Sequence, residues 1–508
     1  MKKISFISMI ALGAAMTACS SYDLPNPPGQ TYPEPEVFED GGVVLEQAGT
    51  NLNLVELNND NKQAELARVT DLVNFPDTYN LAFVAEVARD ASYANAALLD
   101  VDLDGDLVSV RPDALNGAIC KAITNDPATL DVHIRYAAYA VNGDTKLRLG
   151  GNDVYYGDYT YSIKPFDPTV TIEDSYYLVG SFCNWDLSQA LRMNHTTDGS
   201  VYDSAVFALQ VEVDAAEAAA GYEWKVVPAS ALTAGTLDTA FGVKPYEDNN
   251  LAGELIHSAG RNDAGTITSA GPFLITVDIA NLTYNVNVAL ECLYVPGNGS
   301  SQSNFNKVQK LYTLNFITYQ GMAQLRNNWF LTGQPGLSGN VYKSVDGTVT
   351  TEDLVTKGEL TGESSGKNMK ADADRNALHW ISANLVQMTF EATTVNTISV
   401  VGDHNGWDEK GAPELAFTPN ADPKKQNCLI WKGEVELNSE FKININHAWT
   451  IDFGGTIVPS TTAGTHQANL LYKGGNLIAP APGRYEITVD FSNVDIATGF
   501  YTMTLVKK

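Results

Sequence analysis

Short runs in which apolar and polar residues alternate recur along the chain, the period that turns one face of a β-strand to a core and the other to solvent. The cleanest is Arg484–Phe491, RYEITVDF, where Tyr485, Ile487, Val489 and Phe491 fall on one face and Glu486, Thr488 and Asp490 on the other. Phe273–Ile279 (FLITVDI) and Leu378–Thr389 read as comparable closing strands, and Val132, Ile134 and Tyr136 alternate with Asp131, His133 and Arg135. LNLVEL, LAFVAEV, LVSV and YTYSI supply further short strands. Helical signals are few. One turn is expected at Ala114–Ile123, and Asp214–Gly221 offers an N-cap, an alanine-rich run and a glycine stop. The pattern predicts an all-β protein.

The strands are grouped by a repeat. Thr397–Asp408, TISVVGDHNGWD, and Ser175–Asp186, SYYLVGSFCNWD, share an apolar strand, a glycine turn, then Asn and Trp; Cys292–Asn298, CLYVPGN, is a weaker copy. Each copy opens a block that ends in one of the closing strands, so three β units in tandem are expected. They divide the chain at residues 171–289, 290–394 (divergent, with a polar loop from Ser344 to Lys370) and 395–508. Before them, residues 38–168 carry several short strands over about the length of one sandwich domain, which suggests an immunoglobulin-type β-sandwich. That first domain has no tryptophan.

The N-terminus reads as an address. Lys2 and Lys3 precede an apolar stretch from Ile4 to Ala18, too short for a membrane span, and Met16-Thr17-Ala18-Cys19 is similar to a bacterial lipobox. Residues 1–18 are therefore expected to be a lipoprotein signal peptide, with Cys19 lipidated. Prolines 25, 27, 28, 33 and 35 make residues 19–37 a semi-rigid stalk. One of the four later cysteines falls in each domain, so buried free thiols are expected rather than bridges.

A formal charge of −28 excludes nucleic acid and polyanionic ligands, whose capture needs clustered Lys and Arg, and leaves a neutral partner open. Neither H-E-x-x-H nor a phosphate loop occurs. Asp100, Asp102, Asp104 and Gly105 open like a Ca²⁺ loop, but Arg111 stands where the bidentate Glu belongs, so an acidic turn is favoured and no metal or cofactor is expected. The remaining chemistry is aromatic. Trp407 follows Asn405-Gly406, and Trp449 sits in FKININHAWTIDFGG beside Lys442 and His447. A flat indole removes the apolar C–H face of a sugar ring from water, roughly 1–2 kcal/mol per stacked ring. Trp407 reads equally well as a core residue closing the first hairpin.

The lipobox, proline-rich stalk, Ig-like first domain and ordered motifs VVGDHNGWD, YYLVGSFCNWD and LYVPGN together resemble the SusE/SusF type of outer-membrane starch-binding lipoprotein. With three blocks after the first domain, the chain is closer to the SusF pattern. The resemblance implies an N-terminal Ig-like β-sandwich followed by three β-sandwich carbohydrate-binding modules, surface-exposed and not catalytic. It implies outer-membrane attachment through lipid alone, starch or maltooligosaccharides as ligand, and a SusC/SusD-like uptake complex as partner. Carried over residue by residue, it makes Trp407 and Trp449 a platform with Lys442 and Asn476 as hydrogen-bond donors. In residues 171–289, Trp185 matches Trp407 and Lys225 matches Lys442, but Leu237 stands where the second platform belongs. In residues 290–394 the first Trp is absent from GNGSSQSNF, Trp329 falls at the place of Phe441, and Asn368 matches Asn476. The alternatives are a different polysaccharide on the same scaffold, or a surface protein whose β domains contact other proteins.

Overall fold

The structure, a computed structural model, describes residues 37–508 apart from 169, 245–250, 258–262, 297–307, 327, 336–339, 346, 348–349, 353, 364, 372–375, 423–426 and 460–463. Cys19 and the stalk lie outside the described residues, as does the GNGSSQSNF segment up to residue 305. Among the described residues two compact units are present, one up to residue 123 with 127–166, the other 124–126 with 167–508.

In the first unit, the long strand Leu130–Asn142 pairs antiparallel with Asn80–Ala88 on one side and Tyr156–Lys164 on the other. A second, four-stranded sheet orders Gly42–Gln47, Ala64–Val73, Leu107–Val110 and Asp102–Asp104. Val132, Ile134 and Tyr136 are wholly buried, as their alternation predicts. The Tyr136 and Tyr161 hydroxyls bond each other at 2.9 Å, and the Tyr161 hydroxyl donates to the Leu66 carbonyl at 2.7 Å, so the buried polar ends are satisfied.

Two local expectations change here. LNLVEL is a strand only over Asn51–Asn53 and then a helix, Leu54–Asn59, because the Asn53 side chain accepts from the Glu56 N–H and caps it. The expected turn at Ala114 is a full helix, Pro112–Ala122, opened by a proline in its first turn. The acidic stretch is part of a hairpin: Asp102–Asp104 pairs with Leu107–Val110 around Gly105 at φ +63°.

Among the described residues the second unit holds three large sheets in succession, with strands between Tyr176 and Val288, Cys292 and Val395, and Ile398 and Lys507, and a two-stranded sheet of Asn328–Trp329 with Met369–Lys370. In the last, Ile398–Gly402 pairs with Glu440–Ile445, which pairs with Ala448–Pro459 and onward to Gly483–Asp490 and Ile430–Leu437. An isolated bridge from Ala416 to Lys432 joins the two ends of this order, so the sheet curls around its own core. Two strand expectations need correction. Leu378–Thr389 is a hairpin of Ala377–Asn384 and Thr389–Val395, turned at Met388 with φ +52°. Ser344–Lys370 contains the strands Thr350–Glu352, Val355–Thr361 and Met369–Lys370. The helix at Ala215–Ala220 has the capping box of Asp214 and Glu217 and ends at Gly221.

The cores of the last two sheets are continuous. Tyr312, Met322, Leu378 and Trp380 pack in one cluster with Phe441, Phe453, Phe491 and Tyr501. Trp380 stacks on Tyr472 at 4.7 Å, and the Tyr501 hydroxyl accepts the Met322 N–H at 2.7 Å. Cys120 is half-buried and Cys183, Cys292 and Cys428 are buried, all four as free thiols.

Candidate functional site

The repeated glycine turn explains itself physically. Gly402 lies against Phe441 across the ladder and Gly180 against Trp224 in the same way. A Cβ at either would collide with a backbone carbonyl, that of Glu440 or of Glu223. The chain then makes one 3-10 turn, and the indole-bearing residue takes a positive φ, +62° at Trp407 and +65° at Trp185. The Trp407 N–H closes the turn on the Gly402 carbonyl at 3.0 Å, and the Trp185 N–H on that of Gly180 at 2.9 Å. Both tryptophans are half-buried, held on the outer side of the sheet rather than in the core.

In the last sheet, Phe441, Ile443 and Ile445 face the core and are buried. The other face of that strand carries Glu440, Lys442 and Asn444, and the turn brings Trp407 onto this side. Trp449, near the start of the next strand, is 39% exposed. The two indole rings meet with centroids 6.2 Å apart and planes inclined by 34°. Each indole N–H is tied down by a carboxylate: Trp407 Nε1 donates to Asp403 at 2.9 Å and Trp449 Nε1 to Glu409 at 3.0 Å. The ring faces are what remains to offer.

Around the rings runs a connected set of polar contacts. Asp403 also accepts the Glu440 N–H at 2.9 Å; that bond first, and then the Trp407 indole, hold its carboxyl below the usual carboxylate range. Glu440 in turn accepts from Asn476 Nδ2 at 2.7 Å, with Asn476 exposed. On the other side, the buried carboxylate of Asp452 binds two ammonium groups, Lys442 at 2.7 Å and Lys473 at 2.6 Å. Lys473 Nζ also donates to the Trp449 carbonyl. His447 braces the base of the platform, contacting the Glu409 carbonyl at 2.5 Å and Glu414 at 2.8 Å; the Glu414 bond raises its pKa. Trp407, Trp449, Lys442 and Asn476 thus come into one surface patch. Asp452, Lys473, Asp403 and Glu409 belong to it too and were not singled out from the sequence.

The block at 171–289 departs from this arrangement. Val179 faces Lys225 as Val401 faces Lys442, so the register of the repeat holds. Yet Lys225 is fully buried, its ammonium bound to Asp263 at 2.8 Å, and it presents no donor to a surface ligand. Its assignment as a carbohydrate donor is therefore corrected. The cause is local: Ala240 occupies the place of Asp452, and the short helix Ala229–Ala234 is inserted before it. Trp185 packs with Leu187, Leu232 and Leu237, an apolar cluster instead of a paired aromatic platform. In the block at 290–394, Trp329 is buried edge-on to Phe390 at 5.6 Å and pairs with Met369, as Phe441 pairs with Leu477. Asn368, half-buried, precedes Met369 as Asn476 precedes Leu477.

Among the described residues no group of His, Cys, Asp and Glu is arranged to hold a metal ion, and no helix is long and apolar enough to cross a membrane.

Comparison with known proteins adds three findings. Residues 171–288 match a family model described as "SusF, first starch specific CBM". The outer membrane protein SusF of Bacteroides thetaiotaomicron is 25% identical over 303 residues, 57% of this chain, and the match spans 58% of that relative's length. The crystal structure of SusF from the same organism aligns over 91% of this chain and 100% of its own, at 16% identity and a TM-score of 0.41. Residues 171–288 are thus similar to the SusF carbohydrate-binding module, and the chain as a whole resembles proteins of the SusE/SusF type.

Proposed function

We propose that this chain is a non-catalytic, lipid-anchored protein of a bacterial outer membrane that binds starch or related α-glucans for uptake. The observation that carries the reading is the Trp407–Trp449 pair: two inclined rings, their polar edges already satisfied, forming one apolar surface bordered by amide and ammonium donors. Inclined planes suit a curved neutral chain better than a flat one. Carboxylates near the platform hold the indoles, Asn476 or lysines, which favours binding over hydrolysis. The matched module and the relative support starch as the ligand. On this reading residues 395–508 form the principal site and residues 171–289 and 290–394 contribute less. Cys19 is the lipidated residue, and a SusC/SusD-like transporter is the partner.

The test is electrophoresis of the purified chain through a native gel containing amylopectin. Retardation is expected, with Trp407→Ala and Trp449→Ala each reducing it sharply. Unretarded migration in every α-glucan would refute starch, and a glycan array would then identify another polysaccharide.

A further inference from the structure

A second cleft lies where the sheets of residues 176–288 and 292–395 meet. The junction is packed and hydrogen-bonded. Ala208, Leu274, Ala289 and Ile317 form a small buried core with Phe316 and Val386. Asn384 Nδ2 donates to the Thr196 carbonyl at 2.8 Å, and Gln387 Nε2 to Thr196 Oγ1 at 3.0 Å. Beside this contact the surfaces diverge into a cleft of about 620 Å³, within the range of about 300–1,000 Å³ typical of preformed ligand sites.

Its lining is chemically selective. The protein carries 60 acidic side chains, yet among the described residues lining the cleft there is no Asp, Glu, Lys, Arg or His. The polar groups are the amides of Asn285, Asn287 and Asn340 and the hydroxyl of Thr276; the aromatic ones are Phe316, Tyr319 and Tyr342. Asn285 and Asn287 stand on the exposed face of the strand Thr283–Val288, alternating with buried Tyr284 and Val286. Phe316 is a non-glycine residue at φ +59°, fixed there because its N–H donates to Thr313 Oγ1 at 2.8 Å while Asn315 Oδ1 caps the next two N–H groups. An aromatic side chain held in a costly backbone conformation is the kind of strain found at ligand sites.

An uncharged cleft with neutral two-way hydrogen-bonding groups and aromatic surface excludes ions and suits a polyol. Amides both donate and accept, as each sugar hydroxyl requires, and ring faces cover C–H surface. We infer that this inter-sheet cleft is a second glucan-binding site, separate from the Trp407–Trp449 platform, taking a short neutral stretch of the same polymer. The inference rests on the glucan reading above. Two sites on one compact unit would raise retention of a long chain through effective concentration, without tight binding at either.

The test is calorimetric titration of the full chain with maltoheptaose. In a Trp407→Ala/Trp449→Ala background, residual saturable binding is expected. Adding Asn285→Ala with Asn287→Ala is expected to weaken it at least tenfold, and so is adding Phe316→Leu instead. The two asparagines are exposed, so the fold tolerates their loss, and an unchanged thermal transition verifies this. Absence of binding by the unaltered chain would overturn the glucan reading itself. Binding by the unaltered chain but none in the double tryptophan background would overturn the cleft alone, as would residual binding indifferent to both cleft variants.

Discussion

Replacing Asp452 by Ala removes one carboxylate that two lysines share. Its side chain is 5% exposed, Lys442 is 16% exposed and Lys473 44% exposed. Breaking a buried ion pair from one side costs about 3–5 kcal/mol, because the remaining charge stays desolvated. Lys473 is exposed enough to rehydrate, so its pair is worth only about 0–1 kcal/mol. Lys442 retains a narrow opening to water, which places the total near the lower limit, about 3 kcal/mol. The cores of residues 292–395 and 398–507 are continuous, and a unit of that size loses about 2–4 °C of melting temperature per kcal/mol, so Asp452→Ala should melt about 6–12 °C lower. Asp452→Asn keeps the shape but not the charge and should fall between. Both should also weaken maltoheptaose binding about tenfold, since Lys442 and, through its bond to the Trp449 carbonyl, Lys473 lose their anchor. Differential scanning calorimetry and titration on the same samples read the two effects. A melting temperature within 1–2 °C of the parent, together with unchanged affinity, would refute the reasoning that Asp452 organises the patch.

Three further outcomes follow from the same geometry. Lys225→Met should destabilise the chain by about 3–5 kcal/mol, because it breaks the buried 2.8 Å ion pair to Asp263 from one side, while amylopectin retardation of the surviving folded protein stays unchanged; adding Asp263→Asn should recover part of the loss. Gly402→Ala should cost about 1–3 kcal/mol and weaken glucan binding, since the added methyl group must push the Glu440 strand away and shift the turn that carries Trp407; chemical denaturation and the native gel check it. The raised pKa of His447 stabilises the folded chain fully below the unfolded value of about 6.5, and that contribution is lost as pH rises through the higher folded value. Urea midpoints of the parent should therefore drop from pH 5.5 to pH 8 more than those of His447→Gln, and parallel curves would contradict this.

Much of the architecture was legible in the sequence because alternation carries it: Tyr485, Ile487 and Val489 are fully buried, and the shared V-G turn recurs with the same backbone. LNLVEL failed because a side-chain cap at Asn53 outweighed a weak strand pattern, and Leu378–Thr389 failed because an apolar run hid a turn at Met388. At the candidate site, Trp407 and Trp449, which the structure brings together, were singled out because aromatic residues beside Asn, Gly and His stand out. Asp452 was missed, although an acid set between the apolar Ile451 and Phe453 was the available signal. Lys225 was misjudged for a different reason. The match to Lys442 alone made it a surface donor, and only the inserted helix Ala229–Ala234 and the partner at Asp263 show that this face is covered.

The central claim is that the exposed faces of Trp407 and Trp449 grip an uncharged glucan. Trp224, Trp329, Trp380 and Trp431 are buried and Trp185 is packed among leucines, so the pair dominates what a quencher in solution can reach. The most direct measurement is iodide quenching of tryptophan emission from the full chain as maltoheptaose is added. The account predicts saturable protection from iodide that disappears in Trp407→Ala/Trp449→Ala. Unprotected emission at saturating maltoheptaose, or protection that survives the double substitution, would contradict it.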